Sequence, residues 1–146
     1  VIHRLSLLFL LIVLPALAAD PLEVSSQSIA DGHVSRKRAG RLSVVATNTS
    51  SDEPLVFVWI TVEKKGADGK FQTFRTDILC PCDSKCKREP FRLKKTESAS
   101  GSWDFLSSDC EPAVSGVYRF AVIARYSAAI SGYVYHGVSK EFTITE

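Results

Sequence analysis

The stretch from Ser115 to Tyr126 constrains the fold more than any other part of the chain. Taken at a period of two, Tyr118, Phe120, Val122, Ala124 and Tyr126 fall on one face, and Val117, Arg119, Ala121, Ile123 and Arg125 on the other. Successive side chains of a strand point to opposite sides, so the first set forms a buried stripe and the second is mostly wetted. A helix would scatter both arginines and both tyrosines around its circumference. Residues 115–126 are therefore a strand that covers a core on one side.

Other segments carry the same signal. Leu22–Ile29 alternates weakly, as an edge strand would. Arg41–Thr47 is a second strand with Leu42, Val44 and Ala46 facing in. Leu55–Val62 is apolar on both faces, with Leu55, Phe57 and Trp59 on one side and Val56, Val58, Ile60 and Val62 on the other. Such a strand belongs near the middle of a sheet. The charged run Glu63–Lys70, with its two glycines, turns the chain into Phe71–Leu79. Phe91–Lys94 is a short strand, and the polar stretch Lys95–Gly101 leads into Ser102–Phe105. Tyr133–Thr145 is the last strand, where Gly137 suggests a bulge. Asp31–Gly40 is a loop by composition, and its cluster Arg36–Lys37–Arg38 is read as a solvated tip rather than a docking patch. Asn48–Pro54 is turn chemistry, and Asn48-Thr49-Ser50 also fits the glycosylation acceptor pattern. No segment has helical periodicity. About seven to nine short strands with polar turns between them argue for an all-β, antiparallel sandwich.

The first residues stand apart from this pattern. His3 and Arg4 precede the apolar run Leu5–Leu14, Pro15 ends it, and Ala16-Leu17-Ala18 supplies small residues for cleavage. This is the pattern of a secretory signal peptide over residues 1–19. The run is shorter than the roughly 20 residues a spanning helix needs, and Asp20 rather than a cysteine follows, so no lipid attachment is expected. Residues 20–146 then form a single exported domain, periplasmic or secreted, with no membrane contact after cleavage. A net charge of +2 over 146 residues is too small to argue for nucleic acid as a partner.

Cys80, Cys82, Cys86 and Cys110 form the most specific feature of the chain. An even count in an exported protein implies two disulfides. The pairing Cys82–Cys86 with Cys80–Cys110 is favoured, and Cys80–Cys86 with Cys82–Cys110 stands close behind. Cys80–Cys82 is disfavoured because one intervening residue strains the bond. The rival reading is a thiolate metal site. Against zinc, the spacing is C-x-C-x3-C rather than two C-x2-C knuckles, and against copper(I), the chain has no methionine. No cofactor is expected. No nucleophile elbow or phosphate-binding glycine loop is present. His33, in a loop, and His136, in a strand, lie on distant elements. Trp103 is read as a core plug, with Asp104 capping the turn that follows. The domain is thus expected to be non-catalytic.

With Trp59, Trp103-Asp104 and Gly116-Val117-Tyr118 in view, the chain resembles bacterial extracytoplasmic immunoglobulin-like sandwiches, in which a strand ending in Trp-Asp leads by a loop to a Gly-x-Tyr strand. Residues 90–126 are also similar to part of the bacterial proteinase-inhibitor-type sandwich. The resemblance implies an immunoglobulin-like sandwich with Trp59 as the core tryptophan of the third strand and Tyr118 as the corner tyrosine. The chain departs from antibody-type domains in having Ala46 and Phe120 near the places of the inter-sheet cysteines, and Val114 where an aspartate usually precedes the corner tyrosine. The function expected is an exported binding or structural module that meets another protein or a cell-surface component. Its contact surface would be the cystine loop, residues 81–90, carrying Lys85, Lys87, Arg88 and Glu89. The same loop could instead offer Lys85, Lys87 or Arg88 to a trypsin-like protease as an inhibitor.

Overall fold

A computed structural model describes residues 22–29, 31–50, 55–83, 86, 89, 91–126 and 134–146. The proposed signal peptide lies outside them. Among the described residues, ten strands and a single helical turn are formed: β1 (Leu22–Ser25), β2 (His33–Ser35), α1 (Arg36–Ala39), β3 (Leu42–Asn48), β4 (Leu55–Lys65), β5 (Phe71–Arg75), β6 (Phe91–Leu93), β7 (Ser98–Trp103), β8 (Gly116–Tyr126), β9 (Val134–Val138) and β10 (Phe142–Thr145). They build a two-layer sandwich. One sheet has the order β1-β3-β7, and the other runs β2-β10-β8-β4-β5, with β6 also on β4 and β9 also on β8. Pairing is antiparallel except for β2, which lies parallel to β10.

The alternation of β8 is realised with one departure: Ala121, expected on the wetted face, is buried. Tyr118, Phe120, Val122 and Ala124 are fully buried, while Val117, Arg119 and Ile123 are half-buried and Arg125 is exposed. Leu42, Val44 and Ala46 of β3 face them across the core, with Leu22 and Val24 of β1 beside them. The two layers meet at Trp103, at the end of β7. Its ring lies 5.7 Å from Tyr118, 5.1 Å from Phe105 and 6.0 Å from Phe74, in tilted and edge-on contacts. Its indole N–H donates to the Leu106 carbonyl at 2.9 Å, so the burial leaves no orphan donor. Asp104 accepts from the Leu106 N–H at 3.2 Å and caps the turn.

Trp59 is not the core tryptophan. In β4 the pairing with β8 shifts by one residue between Phe57 and Trp59. The extra residue, Val58, inverts the alternation that follows it. Leu55 faces in before the bulge and Ile60 and Val62 face in after it, which turns Trp59 to the outer face with 36% of its surface exposed. Trp103, fully buried, takes the central place instead.

Other boundaries differ for equally local reasons. His33–Ser35 holds only one apolar residue, Val34, too few for a visible alternation, yet it pairs with β10. The basic cluster that follows is a helical turn, and Arg36 donates to the Ala113 carbonyl at 2.9 Å rather than standing free in solvent. In β7, Ala99 and Gly101 alternate with serines, so the strand reads as polar although it is an edge strand that carries the buried Trp103 at its end. The chain end is two strands rather than one. The bulge falls at Ser139, whose N–H donates to the Phe120 carbonyl and whose Oγ accepts from the Phe120 N–H, both at 2.9 Å. Gly137 serves a different purpose: a Cβ there would lie 2.8 Å from Leu22 Cβ, so its bare backbone lets the two layers approach. Only Gly69 of the two hairpin glycines has positive φ. Asn48 is fully buried and its amide donates to the Leu93 carbonyl at 2.8 Å, so in the fold the side chain has no surface on which to carry a glycan.

Two predictions follow from the packing of the layers. Gly137→Ala should destabilise the protein by about 1–3 kcal/mol, because Leu22 is backed by core and cannot yield freely; urea midpoints measure this. Tyr118 behaves as a corner tyrosine, its hydroxyl donating to the Val114 carbonyl at 2.8 Å. Burial raises its pKa above the ordinary value, while the bond to Val114 and the nearby Arg36 charge pull the other way. A raised folded pKa means that the unfolded chain loses the phenolic proton first, so this contribution is complete below pH ~10 and is lost as pH rises through the folded value. Y118F should cost about 1–2 kcal/mol at neutral pH and should flatten the alkaline fall in stability, measured by urea unfolding from pH 8 to 11.

Candidate functional site

The cystine-bearing side of the sandwich is built by two segments that leave the sheets, 76–82 after β5 and 104–112 between β7 and β8. Beyond β5 the chain turns so that Ile78 is buried against Gly101 of β7; a Cβ on Gly101 would stand 2.9 Å from Ile78 Cδ1. The Ile78 N–H donates to the Ile60 carbonyl at 3.0 Å. That carbonyl lies where the edge of β4 passes from its pairing with β6 (residues 55–57) to its pairing with β5 (residues 62–65). The turn therefore fills a gap in the sheet edge.

Arg75 ties this turn to the second segment. It is almost fully buried, and its guanidinium donates to three backbone carbonyls: Nε to Asp77 at 3.2 Å, Nη1 to Ser107 at 2.9 Å, and Nη2 to Cys80. Carbonyls around a buried cation offset part of its desolvation and fix their own segments at the same time. Thr76 and Ser108 join the segments again. The Thr76 N–H donates to Ser108 Oγ at 3.0 Å, and the Ser108 N–H to the Phe74 carbonyl at 3.0 Å. Ser107 Oγ accepts from the N–H groups of Asp109 and Glu111, closing the turn that presents Cys110.

Two disulfides complete the arrangement, and their pairing is Cys80–Cys86 and Cys82–Cys110. The favoured alternative, Cys82–Cys86 with Cys80–Cys110, is thus overturned. The reason lies in Arg75. It holds the Cys80 carbonyl in the turn, so the chain must pass Pro81 before it reaches the Cys110 turn, and Cys82 arrives there first. The long bridge spans 28 residues and is worth about 3–4 kcal/mol in the chain-entropy account. All four sulfurs are bonded in pairs, so none remains as a thiolate for a metal. Among the described residues no group of three or more His, Cys, Asp or Glu is placed to hold an ion.

The outcome is an open cleft of about 380 Å³ in which Trp59, Thr76, Asp77, Pro81 and Ser108 surround the two cystines. Its floor is fixed by covalent bonds and a buried cation, and its wall is an aromatic ring on a sheet. Asp77 Oδ1 accepts from the Leu79 N–H at 3.1 Å, so the carboxylate also shapes the turn. Of the expected contact residues, Glu89 is exposed, and Lys85, Lys87 and Arg88 lie outside the described residues. Sequence reasoning missed Trp59 and Arg75. Arg75 carried one usable signal, an arginine at the end of a strand that opens onto a cysteine cluster. A larger cleft, about 740 Å³, opens between β1 and the bulged strands, lined by Val24, Ile29 and Val138 among others. His33 and His136 are both exposed, on β2 and β9, in neither cleft.

No family model matches the chain, and no curated protein matches it. Among solved structures it is similar to part of a class 5 fimbriae chaperone, CfaA, at 16% identity and a TM-score of 0.40, covering 85% of this chain and 57% of that one. It is also similar to part of a β-glucosidase from Listeria innocua, at 14% identity and 0.36, covering 88% of this chain and 16% of that one. A family 123 glycoside hydrolase from Clostridium perfringens follows at 11% identity and 0.30, with 73% and 21% covered. The chain spans a small part of the hydrolases and just over half of the chaperone. Overlaps of this size assign no activity.

Arg75→Ala should remove the hub of the cystine side and leave three carbonyls without their donor, at a cost of about 2–4 kcal/mol. The measurement is a urea midpoint. Peptide mapping without reduction should return Cys80–Cys86 and Cys82–Cys110 in the parent protein and a mixture of pairings in the variant after refolding.

Proposed function

We propose that this protein is an exported, non-catalytic binding or structural module of immunoglobulin-like topology, and that its contact surface is the cystine cleft. One observation carries the reading: Trp59, 36% exposed, stands beside a floor that two disulfides and the buried Arg75 hold rigid. A rigid surface loses little entropy on docking. An exposed tryptophan next to such a floor is the side chain most often found at the energetic centre of a protein interface. Two disulfides fit an oxidising compartment, periplasmic or extracellular. Among the described residues no helix is long and apolar enough to cross a membrane. The partner in this reading is a protein or cell-surface component rather than a nucleic acid, since the net charge is only +2.

Photo-cross-linking tests the proposal. A photoreactive residue at Trp59 and, separately, one at Asp68 on the β4–β5 hairpin are introduced into the protein in its own extracytoplasmic fraction. Position 59 should yield a discrete adduct with a macromolecule, and position 68 should not. Equal labelling at both positions, or none at 59, would sink the reading. Stoichiometric inhibition of a trypsin-like protease, lost on reduction, would convert it into the inhibitor form.

A further inference from the structure

We infer that the Cys80–Cys86 bond is a separate thiol–disulfide exchange site, able to accept two electrons from a dithiol while Cys82–Cys110 and both sheets stay intact. The two cystines share one cleft but are secured differently. Cys86 is exposed, whereas Cys80, Cys82 and Cys110 are half-buried, so an attacking thiolate approaches from the Cys86 end of the bond. At the other end of that bond, Cys80 Sγ lies 3.8 Å from Asp77 Oδ2; the carboxylate repels an anionic nucleophile there and so directs attack to Cys86, and it also disfavours a lasting Cys80 thiolate, which must take up its proton as it leaves.

The backbone on the Cys80 side of the bond does not depend on it. The Cys80 N–H donates to the Asp77 carbonyl at 3.4 Å, and its carbonyl accepts from buried Arg75. Ile78 remains anchored to Ile60 and Gly101. Opening the bond therefore leaves residues 75–80 in place. The second cystine has the opposite character. Cys82 and Cys110 sit on segments held together by Arg75, Thr76 and Ser108, so if their bond is broken the two thiols stay adjacent and close again at high effective concentration.

The exchange balances as follows. A dithiol's thiolate attacks Cys86 Sγ, and a mixed disulfide forms as the bond to Cys80 breaks. Cys80 leaves as a thiolate and takes up the proton given up by the attacking thiol. The reductant's second thiol then attacks its own sulfur in the mixed disulfide, frees Cys86 as a thiol, and leaves the reductant as a disulfide. The protein gains two electrons and two protons. The inference does not rest on the binding role proposed above.

The test treats the folded, fully oxidised protein with dithiothreitol without denaturant, traps thiols with iodoacetamide at timed intervals, and maps the labelled peptides. Cys80 and Cys86 should label together, about tenfold or more faster than Cys82 and Cys110, with the far-ultraviolet strand signal unchanged at the two-label stage. Labelling of Cys82 and Cys110 first or at the same rate overturns the inference, as does loss of the strand signal with the first two labels. A C80S/C86S variant provides the second arm. It should fold with the parent's strand signal and resist the same treatment, and failure of that variant to fold overturns the separateness of the bond.

Discussion

The contact of Trp103 with the aromatic side chains around it is the interaction on which both layers depend. The indole comes from an edge strand of the three-stranded sheet and reaches Tyr118 and Phe120 of β8 in the opposite sheet. Phe142 stacks on the far side of the same pair, so the aromatic cluster runs from β7 through β8 to β10. A three-stranded sheet with little inner surface of its own cannot bury a large area except by sending a side chain of this size across the gap. The polar ends of the cluster are then fixed where they must be, the indole N–H on Leu106 and the phenol on Val114. Both bonds lie in or next to the loop that carries Cys110, so the core and the cystine side share an anchor.

From that anchor the cystine side grows by backbone carbonyls rather than by sheet hydrogen bonds. Arg75 gathers the carbonyls of Asp77, Cys80 and Ser107 around one charge. A charge can serve this purpose here because three carbonyls at the end of β5 replace the water it loses on burial, and at that depth each bond is directional. The disulfides then secure what the arginine has positioned.

The sandwich was legible in the chain because β8 alternates over 11 residues with only Ala121 out of step, and because Leu42, Val44 and Ala46 repeat the rhythm. Tyr118 and Asp104 were legible for the same reason: each is a residue type with one usual task at its position. Trp59 was not, since one extra residue in β4 reverses the faces beyond it and leaves no trace in a pattern of uniformly apolar side chains. The parallel strand β2 was hidden because a single valine cannot show a period. The disulfide pairing was undecidable from spacing, as it follows from a bond between Arg75 and a carbonyl. Gly101 misled in the opposite direction, small because Ile78 needs its space.

The route of the chain through β1 and β2 has a mechanical consequence. The first strand belongs to the smaller sheet and the second, after a short passage, lies parallel to β10 at the edge of the larger one. The amino-terminal segment is therefore stitched to both layers. Tension applied there would load β2 along its length in shear against β10, so that its hydrogen bonds would break together, while β1 would peel from β3. A chain threaded in this way clasps its own two halves, and a pull from the front end would meet the stiffer resistance at the second strand.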